Sequence, residues 1–565
     1  MLHYSHILVE RSKMFKTIFT FFSLIFFFFM TGCSQTSSSP NTHMVTVSGT
    51  ITYDRVPVLT TNYGTVKLDY PHTIKESAKN LLIKAINQNG QAIAQTTSNE
   101  EGEYALQIPQ NTNMKIRVYA RMFKEGQWDV SVVDNTKQKA MYVIEGSLHN
   151  SGEKNSRRNL HASSGWTGNG YTKERDAAPF AILDSINTVM KKVRGADATL
   201  VFPQLTVNWS INNVATGGER SLGQIVTSNY DGNSNLWILG DKNSDTDEYD
   251  DHIIIHEWGH FFEDKFSRSD SIGGPHSAGD SLDIRVAFGE GWGNALSAIA
   301  TDNPIYFDTA GFHQNTGWSM DIESASHENP GWFSEASIQR ILYDLYDSGV
   351  DENDNIHLGF TPIYYAMIDR ERNTKAFTSI FTFIHALKSE NPSQSYAIDQ
   401  VVSSENISPI YDIYGKYRQN LAYGTQKKPV YSELALGRGV LTQCNNNSFG
   451  VYNKLGNRTF IKVPIYQDGI YNFSITPYGG ASGDPDIIIY KAAYPFKSMG
   501  MSPLEGSPSD ELSLLLTQGD YMLEVYDASF NNSCFRVDMR LENSESNNRF
   551  TKPQIRRQPT LLPQY

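Results

Sequence analysis

Asp251 to Asp264 read DHIIIHEWGHFFED, and Ala287 to Leu296 read AFGEGWGNAL. His256 and His260 stand four residues apart. On a helix of 3.6 residues per turn both imidazoles project from one face toward a common point, which is the geometry of a chelate. Ile253, Ile254 and Ile255 lead into the motif and Trp258, Phe261 and Phe262 continue it, so the helix is expected to be buried. Two histidines and a glutamate in such surroundings need partners, and a divalent metal supplies one.

The pattern from His256 to His260 is HExxH, in which Glu257, turned about 100° from the first histidine, is placed to act as general base on a water. Zinc that does chemistry usually takes three protein ligands and leaves one position open. A third histidine six residues beyond the second is excluded, because Phe266 stands there. Glu290 is the preferred third ligand, since it opens an apolar stretch (Ala295, Leu296, Ala298, Ile299, Ala300) that reads as a second buried helix. His276, Asp280 and Asp283 in the connection SIGGPHSAGDSLD are competing donors, more simply read as solvated loop residues.

HExxH followed by a glutamate on the next helix resembles the gluzincin metallopeptidases, and HEWGH, GGP and GEGW together resemble their fungalysin branch, which is similar to the thermolysin-like enzymes. The resemblance implies Zn²⁺ held by His256, His260 and Glu290, with Glu257 as the catalytic base. Those families carry an aspartate four residues after the glutamate ligand, supporting a zinc histidine from behind. Here that place is Asn294, which can accept an imidazole N–H without bringing a charge. SHENPGWFSEASIQRILYDLYDSG resembles, more loosely, the segment that carries the transition-state histidine, which puts His327 in that role. Tyr343 and Tyr346 are read as lining an amphipathic helix from Glu335 to Tyr346. The resemblance covers roughly residues 175–348.

The net charge of −13 over 565 residues excludes a nucleic-acid partner held by electrostatics. RSKMFKTIFTFFSLIFFFFMTGC (Arg11 to Cys33) has a basic start, a short apolar run and small residues before a cysteine. That is an export signal, and MTGC resembles a bacterial lipobox, which implies a lipid on Cys33, a membrane anchor and a place in the bacterial envelope, at the outer membrane or cell surface. A polar tether spans 34–43 and a polar tail 543–565.

Residues 44–150 carry short β-patterned runs, with Asn89-Gly90 as a hairpin signal. The VSGTITY start and the NGQAIAQTTSNEEGEYAL segment resemble the carboxypeptidase regulatory-like domains, of immunoglobulin type, and a separate sandwich is expected. Within the catalytic region, 151–435, a helix is expected over Glu174–Val193, a strand pair over Thr199–Ser210, and a strand in NLWILG (Asn235 to Gly240) as the cleft wall. A helical lobe is expected over His357–Val430. Strand patterns return over 440–542, and repeated Gly-x-Tyr at strand entries together with DPDIIIY resembles the prepeptidase C-terminal domain. Cys444 and Cys534 bracket it, and in an exported chain they suit a disulfide.

DKNSDTDEYDD crowds Asp241, Asn243, Asp245, Asp247, Asp250 and Asp251 together. Such oxygen-rich loops suit Ca²⁺, but the EF-hand glycine and closing glutamate are missing, so a solvated acidic loop is preferred and Ca²⁺ is the alternative. Val350–Asn355 is read the same way.

The expected fold class is therefore multidomain: an α+β gluzincin-type metallopeptidase core with an HExxH helix, flanked by an N-terminal immunoglobulin-like β-sandwich and a C-terminal β-sandwich. The expected function is zinc-dependent endoproteolysis, with a protein or peptide as substrate. The alternative is a surface-anchored binding or adhesion lipoprotein whose peptidase-like core is inactive.

Overall fold

The structure, a computed structural model, describes residues 43–542 except 61–64, 324–326, 350–355, 417–428, 480–482 and 503. The signal segment with Cys33, nearly all of the tether, the acidic run 350–355 and the tail lie outside the described residues. The protein is multidomain, with many β-sheets and some helices. No helix among the described residues is long and apolar enough to cross a membrane.

Alternation builds the N-terminal region. In Met44–Arg55 the inward residues Val45, Val47, Ile51 and Tyr53 are buried while their neighbours are half-exposed, the period of a strand with one face on a core. This strand pairs with Glu103–Pro109 and Ile74–Ser77 in one sheet. The Asn89-Gly90 hairpin joins Leu81–Asn87 to Ala92–Thr97 in the facing sheet, with Gly90 at φ +80° as the tight turn requires.

The facing sheet does not stop at residue 150. Its order runs Asn229–Tyr230, Asn235–Ile238, Leu205–Trp209, Trp128–Asp134, Asn113–Lys124, Leu81–Asn87, Ala92–Thr97. Leu205–Trp209 adds in parallel to Trp128–Asp134, with Val207 opposite Val132, so the region expected to stand apart shares its sheet with strands from beyond residue 200. Thr199–Ser210 forms one strand rather than the expected pair, because only Leu205–Trp209 finds neighbours to pair with.

The α-helices that frame the site are α1 (Ala178–Ala196), α2 (Asp251–Phe266), α3 (Ile284–Thr301), α4 (Glu335–Tyr346), α5 (Phe360–Tyr365), α6 (Ile380–Glu390) and α7 (Ser395–Ser404). α3 is buried from Ile284 to Ala300, as its apolar composition on every side demands. The run 407–416 is not helical, contrary to expectation; α7, just before it, carries the buried apolar residues Ile398, Val401 and Val402 instead. The N-terminal strands are also tied to α2: Arg55 pairs with Asp251 and donates to the Tyr249 carbonyl at 3.2 Å, and Ser185 on α1 donates to the other oxygen of Asp251 at 2.5 Å.

The C-terminal strands form two packed sheets, one of five strands and one of four, around their own apolar core. Tyr431–Glu433 already pairs with Arg458–Ile465, so this unit begins before the boundary expected near 440. Cys444 and Cys534 face each other on adjacent antiparallel strands and are disulfide-bonded, as expected.

A buried ion cluster docks this unit on α3. Arg285 makes paired contacts of 2.9 Å to Asp283 and of 3.1 Å to Glu524, while Arg458 and the Tyr490 hydroxyl also reach Glu524. Phe377 and Phe460 cover the Arg285 guanidinium at 4.7 and 5.0 Å. Burial works against the Glu524 carboxylate, but Arg285 and Arg458 outweigh it and hold it down at about 2. Its folded value lies below the unfolded value of about 4.3, so its contribution is fully present above pH 4.3 and is lost as pH falls through about 2. Glu524→Gln is expected to cost about 3–5 kcal/mol at neutral pH by leaving two guanidinium groups short of charge. Denaturant unfolding as a function of pH checks this: the gap between wild type and variant should close on acidification, and a gap independent of pH would reject the assignment.

Candidate functional site

α2 delivers His256 and His260 to one point, where their Nε2 atoms lie 3.1 Å apart. α3 crosses behind and brings Glu290, whose Oε2 is 3.2 Å from His256 Nε2 and 3.4 Å from His260 Nε2. The three donor atoms all lie within 4.8 Å of one another. Two imidazole nitrogens and one carboxylate oxygen converging in this way fit a zinc ion, which the three residues would hold.

The crossing is close because of glycine. A Cβ on Gly293 would lie 2.8 Å from His256 Nδ1, and one on Gly259 would lie 3.1 Å from the Gly293 backbone. Gly291 plays the same part against α4, where a Cβ would meet the Ile338 side chain at 2.6 Å. The glycines of GEGWG thus set the distance from α3 to both neighbours.

The ligands are held from behind. Asn294 Oδ1 accepts from His256 Nδ1 at 2.8 Å, which places the proton on Nδ1 and leaves the Nε2 lone pair for the metal. Asn294 in turn donates to Gln339 Oε1 on α4 at 2.8 Å. Glu290 is held well below the usual carboxylate range: burial opposes this, and His276 and His260 outweigh it.

Glu257 points into the cleft, and its Oε2 accepts from the Tyr230 backbone N–H at 2.7 Å. Burial pushes its carboxyl up to about 7, against the pull of His256. The sheet edge at the site is thus Asn229–Tyr230, one strand outside the segment Asn235–Gly240 expected there.

His276 is the largest departure from expectation. Its loop is exposed over 275–279, as expected, yet its Nε2 is 3.3 Å from Glu290 Oε2 and 3.6 Å from Glu335 Oε2, and it lines the cleft. Burial opposes its charge, but Glu290 and Glu335 outweigh it and raise His276 to about 10. Glu335, the first residue of α4, is buried with Oε2 lacking a hydrogen bond, and burial lifts it to about 7. Nothing in the local pattern marked Glu335 beyond its place after the helix cap Ser334.

The loop that carries His276 is fastened by the C-terminal unit. Tyr452 donates to the Ile272 carbonyl at 3.0 Å, Asn453 to Gly273 at 3.0 Å and Lys454 to Pro275 at 2.6 Å. Asp280 and Asp283, the other competing donors, are structural: Asp280 caps a turn through Ser277 N–H, and Asp283 caps α3.

His327 is not among the residues lining the cleft. It pairs with Glu405 at 2.7 Å, just past α7, and Arg340 joins the same carboxylate at 3.5 Å. Tyr343 and Tyr346 keep the plainer reading; Tyr343 is buried, and the Tyr346 hydroxyl pairs with Asp302 and Lys192. The acidic loop splits. Asp251 belongs to Arg55, Asp250 accepts from Thr309 N–H at 2.8 Å, and Asp241 accepts from the Asn243 N–H within a turn at 3.0 Å. Asp245 and Asp247 turn inward to meet Asp308, a residue no local pattern singled out.

Gly293→Ala should push the His256 ring out of place, and Asn294→Ala should free its tautomer. Each is expected to lower zinc affinity roughly 10–100-fold, read by chelator competition on protein with an unchanged circular dichroism spectrum. Affinity equal to wild type in both would show that α3 does not support His256.

No family model matches the chain, and no curated protein matches it. Among solved structures, it is similar over 20% of its length to the whole of a pre-peptidase C-terminal domain of collagenase from Bacillus anthracis, at 9% identity and a TM-score of 0.17. It is likewise similar over 20% of its length to 98% of CorA, a surface-associated copper-binding protein of Methylomicrobium album BG8 (7% identity, TM-score 0.16), and to 95% of a Yersinia pseudotuberculosis-derived mitogen (11%, 0.15). These likenesses are weak.

Proposed function

We propose that this chain is a zinc-dependent metalloendopeptidase of gluzincin type, acting on peptide bonds of extracellular or periplasmic proteins. The observation that carries the reading is the convergence of His256, His260 and Glu290 beside Glu257 in one cleft of about 760 Å³. Zinc, when bound there, supplies Lewis acidity toward a carbonyl oxygen and makes water a better nucleophile at neutral pH. Glu257, steadied by the Tyr230 N–H, takes the proton from the attacking water and returns it to the leaving amine nitrogen. His276, oriented by the Gly274 carbonyl that accepts from its Nδ1 at 3.2 Å, offers its Nε2–H to the oxygen on which negative charge builds. This moves to His276 the role that the sequence resemblance attached to His327.

The export signal and the lipobox-like approach to Cys33 support a place in the bacterial envelope, with the lipid as membrane anchor. No nucleic acid enters the reading. Ca²⁺ is not needed by it.

Zinc-loaded wild type is expected to cut a mixed unstructured peptide pool, and Glu257→Gln to lose about 10²–10⁴-fold in rate at equal zinc content. His276→Ala should lower kcat about 10²–10³-fold, with kcat unchanged in His327→Ala. Zinc bound by both wild type and Glu257→Gln with no cleavage by either would favour the surface binding protein with an inactive core, and the reverse ranking of the two histidines would return the oxyanion role to His327.

A further inference from the structure

Beyond the three metal-binding side chains the cleft continues along the hairpin Ile305–Asp308 and Gly317–Asp321. Asp308 stands opposite Trp318 in its register, and Tyr306 opposite Met320. Asp245 bridges to Ala310, which brings Asp245 and Asp247 against Asp308, and one carboxylate oxygen from each lies within 4.8 Å of the others. Oδ1 of Asp245 and Oδ1 of Asp308 are buried without a hydrogen-bond partner, while Asp247 accepts from Ser228. All three carboxyls are pushed above their ordinary range, by burial first and then chiefly by neighbouring carboxylates. Among the described residues, those lining the cleft include seven carboxylates and no lysine or arginine.

A second observation points into the same space. Tyr306 is only 5% exposed and lines the cleft, yet its hydroxyl makes no hydrogen bond among the described residues. Burial first, and then the carboxylates of Asp308, Glu257, Asp247 and Glu335, hold its hydroxyl well above its usual range. Trp318 stacks on it at 5.7 Å and 21° and is 46% exposed at the rim.

We infer that this end of the cleft is a specificity subsite for a lysine or arginine side chain of the substrate, seated on Asp245, Asp247 and Asp308 beside the Tyr306–Trp318 pair. The inference rests on the peptidase reading of the same cleft. Carboxylates supply ion pairs to an ammonium or guanidinium group, and an aromatic face adds cation–π attraction. A hard divalent cation takes six to eight oxygen ligands, whereas the hairpin wall presents two aromatic rings and the Met320 thioether. An acid-lined cleft with low-dielectric walls also concentrates cationic peptides at its mouth.

The test uses the zinc-loaded chain and peptides of one neutral sequence in which each position in turn is Lys, Arg, Leu or Glu. At one position Lys and Arg should raise kcat/KM about tenfold or more over Leu, with Glu lowest. Asp245→Asn and Asp308→Asn should shrink that ratio toward one. Methylguanidinium should compete with the Lys peptide better than its neutral isostere methylurea, an arm that needs no variant to fold. Equal cleavage of cationic and neutral peptides would overturn the subsite and leave the peptidase standing; no cleavage of any peptide would remove both. Calcium that binds wild type but not the double variant, and abolishes the Lys preference, would make the cluster an ion site and overturn the inference.

Discussion

The Arg285–Glu524 contact is the constraint on which the geometry of the cleft depends. Arg285 is the second residue of α3 and lies five residues before Glu290, so whatever fixes its guanidinium fixes the start of the helix that carries Glu290. Taking these charges out of water is costly, and only close pairing with further hydrogen bonds offsets the cost. Here Asp283, Glu524, Arg458 and the Tyr490 hydroxyl supply that pairing. The arrangement tolerates little sliding, because a displaced Glu524 would take a carboxylate from both Arg285 and Arg458. A hydrophobic contact of the same area would have no such directional demand, so the ion cluster sets orientation where apolar packing alone would set only proximity.

That orientation reaches the site through a second connection. The segment Tyr452–Leu455 donates hydrogen bonds to the backbone of Ile272, Gly273, Pro275 and Ser281, on both sides of His276. A glycine-rich loop has large conformational entropy to lose, and these contacts restrict it from outside α2, α3 and α4. The C-terminal sandwich is therefore better described as part of the cleft's framework than as an appended module. Glycine does the complementary work inside: at 259, 291 and 293 it lets α2, α3 and α4 approach until donor atoms from two helices converge.

What was legible in the sequence tracked the range of the interactions. The i, i+4 spacing of His256 and His260, the burial of α3 and the turn at Asn89-Gly90 are local, so periodicity and turn chemistry exposed them. Glu290 and Asn294 were readable because they sit within a turn of each other on that one buried helix. The approach of His276 to Glu290 was not readable, because the loop that carries it is fastened by residues some 180 positions away in the chain, which no window can see. The continuity of the sheet from Val132 to Val207 is equally non-local. His327 rested on a short resemblance whose neighbourhood differs here, where Glu405 claims the imidazole. Asp308 carried no local signal at all, since its significance comes only from Asp245 and Asp247 arriving from across the cleft.

The same non-local pairing bears on whether residues 44–150 could be cleaved off and leave the rest of the chain. Leaving would uncover the Leu205–Trp209 edge, whose backbone pairs with Trp128–Asp134, and expose an unpaired strand of the kind that invites aggregation. It would also leave Asp251 at the head of α2 without Arg55, and Asp184 on α1 without Tyr53 and Lys79. The buried apolar cluster runs without a break from Val47 and Ile116 through Val207 to Trp258 and Leu296. A segment that contributes strands, charge partners and core to the helix bearing His256 is a poor candidate for removal. Physical economy assigns it to the permanent framework, with Tyr230 at the far end of its sheet delivering the backbone N–H that steadies Glu257.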